Sequence, residues 1–292
     1  MTVGIDLSDS QVRAVAVSAD GVVSARFDRP GSATDLAQTV RAARKALKGT
    51  VGADARIGVA TLQPGDELTD EIRALLSEGA PVMLSAGAAC ALAESWCGAA
   101  VGARDIATLR IGRHVTAGAM VDGKLLRGAH GAAASVAWLA VNPVERDDYR
   151  RFGGLESEVS AAGIVRRFVW RVKAGDRSAV EAQVGGDLAR VTIEDVLSGA
   201  RANDGVCVSV VRDTIKYVGL AVANLATILD PECIVLGGTL VSAGPMVLDG
   251  VRQECRRRLQ PAHAERLHIV LSSLGEDAAA LGAARAALLQ HP

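Results

Sequence analysis

The stretch that most constrains this chain is residues 81–98, PVMLSAGAACALAESWCG. Val82, Met83 and Leu84 read as a short apolar strand, Ser85, Ala86 and Gly87 as a turn, and a helix begins at about Ala88. A strand that runs into a helix in this way belongs to an α/β fold, where the carboxyl ends of the strands face the ligand crevice. The residues at that turn are therefore the ones that would meet a ligand. They supply no acid, no base and no metal ligand.

The rest of the chain supports an α/β reading. Residues 3–7, 11–18 and 21–27 read as three strands joined by tight turns, with Ala19, Asp20 and Gly21 at the second. Residues 32–48 have a helical apolar face of Leu36, Val40, Ala43 and Leu47. A strand is expected over 56–60 and a helix over 67–77. After a short polar hinge at 101–105, strands over 106–111 and 115–121 follow, and Asp122 and Gly123 form a hairpin turn beyond them. Helices are expected over 161–173, over 192–202 with Thr192 and Asp195 in a capping box, and over 208–229. A strand at 233–236 turns through Gly237, Gly238 and Thr239 into a helix over 245–259. A strand at 267–271 and a helix at 277–289 close the chain.

Its 292 residues are ample for a sizeable core. Aromatics are only 3% of the chain, so Ala, Val and Leu must build that core. A formal net charge of −1 without a basic tail gives no sign of nucleic-acid or anionic-membrane binding. The five cysteines, Cys90, Cys97, Cys207, Cys233 and Cys255, form no CxxC pair and read as reduced core thiols, hence a cytoplasmic protein. The uncharged run at 217–229 is too short to span a bilayer.

The order of elements and several motifs resemble the ROK family of bacterial sugar kinases and repressors. Leu92, Ala93 and Glu94 align with the family's Asn-Asp-Ala-Asn-led helix. The resemblance implies a two-domain actin-like (ribonuclease H-like) sugar kinase fold. Its first domain would cover residues 1–103 and a larger second domain 104–292, with the last helix able to pack back on the first. It also implies where the chemistry should sit, and there this sequence departs from the pattern. Ser85 replaces the family's Asn, and Ala86 its catalytic Asp.

In the family, Asp-Leu-Gly-Gly-Thr-Lys lets backbone amides approach the nucleotide phosphates, which requires glycines. Here the turn is Asp6, Leu7, Ser8, Asp9, Ser10, Gln11. Asp6 and the Ser10 hydroxyl remain, but Asp9 would repel a phosphate by about 4 kcal/mol at about 4 Å and an effective dielectric near 20. The second phosphate turn keeps only Gly112 and Gly118, and Arg113 and His114 between them could still bind an anion, although a solvated hairpin tip is the commoner arrangement. Gly237 and Gly238 match the turn near the adenine. The sugar-binding Glu and His are matched by Ser135 and Trp138; Trp138 can equally be a core residue. Glu156 matches a further sugar-contacting Glu, or is simply an acid at a helix N-terminus. The family's zinc-binding Cys-x-Cys-Gly-x-x-Gly-Cys cluster is matched by residues 144–156, which contain neither Cys nor His, so no zinc is expected.

These substitutions imply a ROK-like pseudokinase, a binding or regulatory protein without cofactor. The alternative is an ATP-dependent sugar kinase, glucokinase-like or N-acetylhexosamine kinase-like, using Mg·ATP with relocated residues such as Asp6, His114, His130 or Glu156. A repressor of the same family would carry a winged-helix domain ahead of the core. A homodimer, or a heterodimer with a paralogue, is expected from the family, with Ile164, Val165, Phe168, Val169 and Val172 as a candidate apolar face or as internal packing.

Overall fold

Thr2–Asp6 (β1) is buried along its whole length, as a strand covered on both faces must be. In the computed structural model, which describes residues 1–31, 36–47, 49–50, 55–63, 70, 74 and 81–289, it is the central strand of the first of two sheets. Gln11–Val17 (β2) and Val23–Pro30 (β3) continue from it as antiparallel neighbours. On the other side Arg56–Thr61 (β4) pairs parallel to β1, and Val82–Ser85 (β5) parallel to β4. Leu36–Leu47 (α1) buries Val40, Ala43 and Leu47, and Ala86–Cys97 (α2) follows β5 directly. The helix expected over 67–77 lies outside the described residues, apart from the isolated positions 70 and 74.

The second sheet repeats this plan. Ile106–Ile111 (β6), Val115–Val121 (β7) and Lys124–Leu125 (β8) are antiparallel, and Cys233–Gly237 (β9) and His268–Leu271 (β10) add in parallel on the other side of β6. The orders β3-β2-β1-β4-β5 and β8-β7-β6-β9-β10 correspond strand for strand. Crevices outside the carboxyl ends of parallel strands are where such sheets bind ligands. Here β1 and β6 bring Asp6 and Gly112 to one small cavity.

Between β8 and β9 the chain forms Asp147–Phe152 (α3), Gly154–Val159 (α4), Ala161–Lys173 (α5), Ala179–Gln183 (α6), Ile193–Arg201 (α7) and Gly205–Leu229 (α8). The capping box at Thr192 is present: its hydroxyl accepts from the Asp195 N–H at 3.2 Å, and Asp195 accepts from the Thr192 N–H at 2.8 Å. α8 begins three residues earlier than its apolar run, because the Asp204 carboxylate caps the amides of Val206 and Cys207. Ile164, Phe168 and Val172 on α5 are buried in the core of this half, with Val165 and Val169 packed against it. That face is internal packing and not a free surface.

Pro245–Arg256 (α9), Pro261–Arg266 (α10) and Ala278–Leu289 (α11) complete the chain. α11 has the sequence AAALGAARAALL and lies against β1, β4 and α2. Its small residues explain how a chain poor in aromatics fills its interior. A Cβ on Gly58 would stand 1.8 Å from the Ala283 carbonyl oxygen, and one on Gly282 would stand 1.7 Å from that of Ala89. Backbones meet there, which only glycine permits. Among the described residues all five cysteines are free thiols, four of them buried, and no helix is long and apolar enough to cross a membrane.

Candidate functional site

The turn at the head of α2 is tighter than the sequence suggests. Ser85 is the N-cap, its hydroxyl accepting from the Ala88 N–H at 3.2 Å, so the helix starts at Ala86 and not at Ala88. The methyl group of Ala86 lines a small cavity of about 40 Å³, together with Asp6, Asp9, Gly112 and Thr239. A larger cavity of about 230 Å³ opens beside it, with Ser85, Ser135, Trp138 and Glu156 in its wall. His114 and Thr116 line both. Ser85, at the position of the family's Asn, and Ser135, Trp138 and Glu156, matched to its sugar-binding positions, therefore line one cavity. Gly237 and Gly238 line neither of these two cavities, nor does Ser10; Thr239, the next residue after the diglycine, does. His130 is exposed and stands apart from both.

The β1–β2 turn satisfies its own amides. The Ser8 N–H donates to Asp6 Oδ1 at 2.9 Å, and the Ser8 hydroxyl donates to the same oxygen at 2.6 Å. The Ser10 N–H donates to Asp9 Oδ1 at 2.6 Å. Two amides that a phosphate would need already hold carboxylates. Across the cleft Arg113 lies 3.8 Å from Asp9. With Asp6 and Asp9 holding these amides, the turn presents carboxylates where the triphosphate of Mg·ATP would lie, and it does not fit that group.

Behind the turn lies a charged group that the sequence reading did not identify. Arg110 on β6 pairs with Glu276, and Arg13 on β2 lies 3.5 Å from Asp28 and 3.6 Å from Glu276. Three segments far apart in sequence meet here. The available signal was an arginine inside each of two mainly apolar strands, QVRAVAV and IATLRI. Asp6 is almost wholly buried beside this group, and burial pushes its carboxyl above the usual range. A raised folded pKa means that the native state binds the proton more tightly than the unfolded chain. Asp6 therefore opposes folding at neutral pH, and that penalty disappears as pH falls through the raised value toward about 3.9. Asp6→Asn, which can still accept from Ser8, is expected to raise stability at pH 7 relative to the native chain, with the two converging in acid. Urea titrations at several pH values read this difference; a less stable variant at pH 7 would contradict it.

Glu156 lies in the first turn of α4, an acid at a helix N-terminus, and it lines the larger cavity. Its Oε1 lies 2.9 Å from His114 Nδ1, and its Oε2 accepts from the Val115 N–H at 2.9 Å. His114 is thus not a solvated hairpin tip. Glu156 turns its ring into the junction between the two cavities. Trp138 is half exposed, at 50%, and so is not a core residue; it stands in the wall of the larger cavity with Phe152, which is 55% exposed. The Ser135 hydroxyl donates to the Ala132 carbonyl at 2.7 Å and is already engaged.

The segment 144–156 contains α3 and enters α4, and ion pairs hold it. Arg146 binds Asp148 through two bonds of 3.1 and 2.6 Å and reaches Glu158 at 3.0 Å. Tyr149 donates its hydroxyl to Glu158, Arg167 lies 3.4 Å from the same carboxylate, and Arg166 lies 3.0 Å from Asp148. Arg146 also covers the rings of Tyr149 and Trp170. Elemental analysis of purified protein is expected to find no stoichiometric zinc, and about one zinc per chain would contradict the ion-pair account, since a structural zinc takes four thiolate or imidazole ligands.

The sequence matches the ROK family over residues 2–290. A glucokinase of Halalkalibacterium halodurans is 33% identical over 197 residues, 66% of this chain and 58% of that one. The bifunctional enzyme NanE/NanK of Brucella suis is 34% identical over 208 residues, 70% of this chain and 34% of that one. The match therefore spans less than two thirds of the length of either relative. Among solved structures, a ROK family glucokinase from Streptomyces griseus in complex with glucose and AMPPNP superposes with a TM-score of 0.81 at 23% identity, covering 97% of each chain. A ROK hexokinase from Thermus thermophilus gives 0.79 at 24% identity, covering 99% of this chain and 98% of that one. At such identity the structures establish the actin-like fold alone; with the family match across nearly the whole sequence, the chain belongs to the ROK family.

Proposed function

We propose that this ROK protein binds a small ligand in its cleft and acts as a binding or regulatory protein, alone or paired with a related chain, without transferring a phosphoryl group. One observation carries the reading. Among the described residues, the only carboxylate in the wall of the larger cavity is Glu156, and both its oxygens are engaged, by His114 and by the Val115 amide. A general base must reach the substrate hydroxyl directly or through one water. The helix-head position that could supply one carries the methyl group of Ala86.

A second reading, an ATP-dependent sugar kinase with a relocated base, draws on His114. Its ring is oriented by a carboxylate and lines both cavities, as a base between sugar and nucleotide would. Nucleotide separates the two, because that kinase must bind Mg·ATP. Calorimetry with Mg·ATP is expected to give no binding tighter than about 1 mM, or −4.1 kcal/mol. Micromolar binding would favour the kinase.

A further inference from the structure

The larger cavity keeps a hydroxyl-reading group in Thr116, whose buried hydroxyl has no hydrogen-bond partner, and adds groups that read charge and flat rings. The Ser85 and Ser135 hydroxyls are engaged with backbone, and Glu156 is held at the floor by two partners. At the rim stand two exposed aromatic rings, Trp138 and Phe152, and the exposed guanidinium of Arg151, 5.9 Å from the Phe152 ring centre. Of the arginines at 146, 150, 151 and 166, three form ion pairs. Arg146 pairs with Asp148, Arg150 with Glu145 and Arg166 with Asp148. Arg151 alone of the four has no ion pair among the described residues, and it is the one that lines the cavity.

An unpaired guanidinium beside two half-exposed rings suits a ligand with one flat apolar face and one carboxylate. The fork of Arg matches a carboxylate through two parallel bonds, and an indole offers its face to a ring. The cavity volume of about 230 Å³ lies below the ~300–1,000 Å³ of pockets for drug-sized molecules, which suits a ligand of a single ring. We infer that the larger cavity takes a pyranose carrying a carboxylate, a sugar acid, with its ring on Trp138 and its charge on Arg151. The inference rests on the reading of the cleft as a binding site without phosphoryl transfer.

Calorimetry and tryptophan fluorescence with glucuronate and with glucose test it on the full chain. Glucuronate is expected to bind at least tenfold more tightly than glucose. Arg151→Gln should remove that preference, Arg151→Lys should keep part of it, and Trp138→Ala should weaken glucuronate at least tenfold. Arg151 is exposed, so its variants leave the core untouched; circular dichroism confirms their folding. Equal binding of the two sugars, no binding of either, or an unaltered preference in Arg151→Gln would overturn the inference. The reading it rests on fails differently. Release of ADP from Mg·ATP in the presence of glucuronate would refute non-catalysis while leaving the sugar-acid preference standing. Absence of glucuronate binding would refute the preference alone.

Discussion

Glu158→Ala is expected to lower the stability of the folded chain by about 3–5 kcal/mol, the range for removing one partner from a buried charge cluster. Glu158 is 2% exposed and receives the Tyr149 hydroxyl, with Arg146 at 3.0 Å and Arg167 at 3.4 Å. Without the carboxylate, two guanidiniums remain in a largely dry site. Arg167 still has the Thr214 hydroxyl at 2.5 Å, and Arg146 keeps Asp148 as its ion pair beside the rings of Tyr149 and Trp170. At roughly 2–4 °C per kcal/mol for a chain of this size, the thermal midpoint should fall by about 6–20 °C. Removing one of the more exposed pairs, by Glu145→Ala, should cost less than about 1 kcal/mol, since its partner Arg150 is well solvated. A Glu158→Ala midpoint within about 2 °C of the native one would show that the cluster does not hold this segment. The segment matters because Arg151, Phe152 and Glu156 are all carried on it.

What the sequence discloses of this molecule follows from how local each cause is. The strands at 106–111 and 115–121 and the helix at 161–173 were legible to the residue, because apolar spacing and turn residues set them. The capping box at Thr192 was legible for the same reason. The head of α2 was misplaced by two residues, since Ser85 caps the helix through its own hydroxyl and draws Ala86 into the first turn. α3 is not legible because its short polar sequence has no helical period, and of α4 only the helix-start acid Glu156 is. They are held by Arg166 and Arg167 on α5, which the linear pattern does not connect to them. The group formed by Arg13, Arg110 and Glu276 is similarly assembled from β2, β6 and the turn before α11. Likeness to a family located Ser135, Trp138 and Glu156 in the wall of one cavity, while the pairing of His114 with Glu156 came only with the folded chain.

The small cavity and the larger one differ in what they keep. The small one is lined by Asp6, Asp9 and Gly112, and its turn amides are held by Asp6 and Asp9, with Arg113 across from Asp9. The larger one preserves space. A protein with that combination can hold a ligand without driving a reaction on it, and a ligand moves the two halves only as far as it binds their arrangements differently.

Phosphoryl transfer is the activity whose absence would have the largest measurable effect, and it depends mainly on positioning and electrostatics. Loss of a general base alone lowers rates by about 10²–10⁴-fold. Loss of the oriented nucleotide removes a further contribution from proximity, which can supply roughly 7–11 kcal/mol in a well-organised site. Ordinary enzymes turn over at about 1–10³ s⁻¹. Release of ADP from Mg·ATP, followed in a coupled assay with glucose, N-acetylglucosamine or N-acetylmannosamine at saturating concentration, tests the account most directly. The predicted result is no turnover above about 0.1 s⁻¹, one tenth of the slow end of that range. Sugar-dependent ADP release faster than this, abolished by His114→Ala, would contradict it and establish the His114–Glu156 pair as the working base.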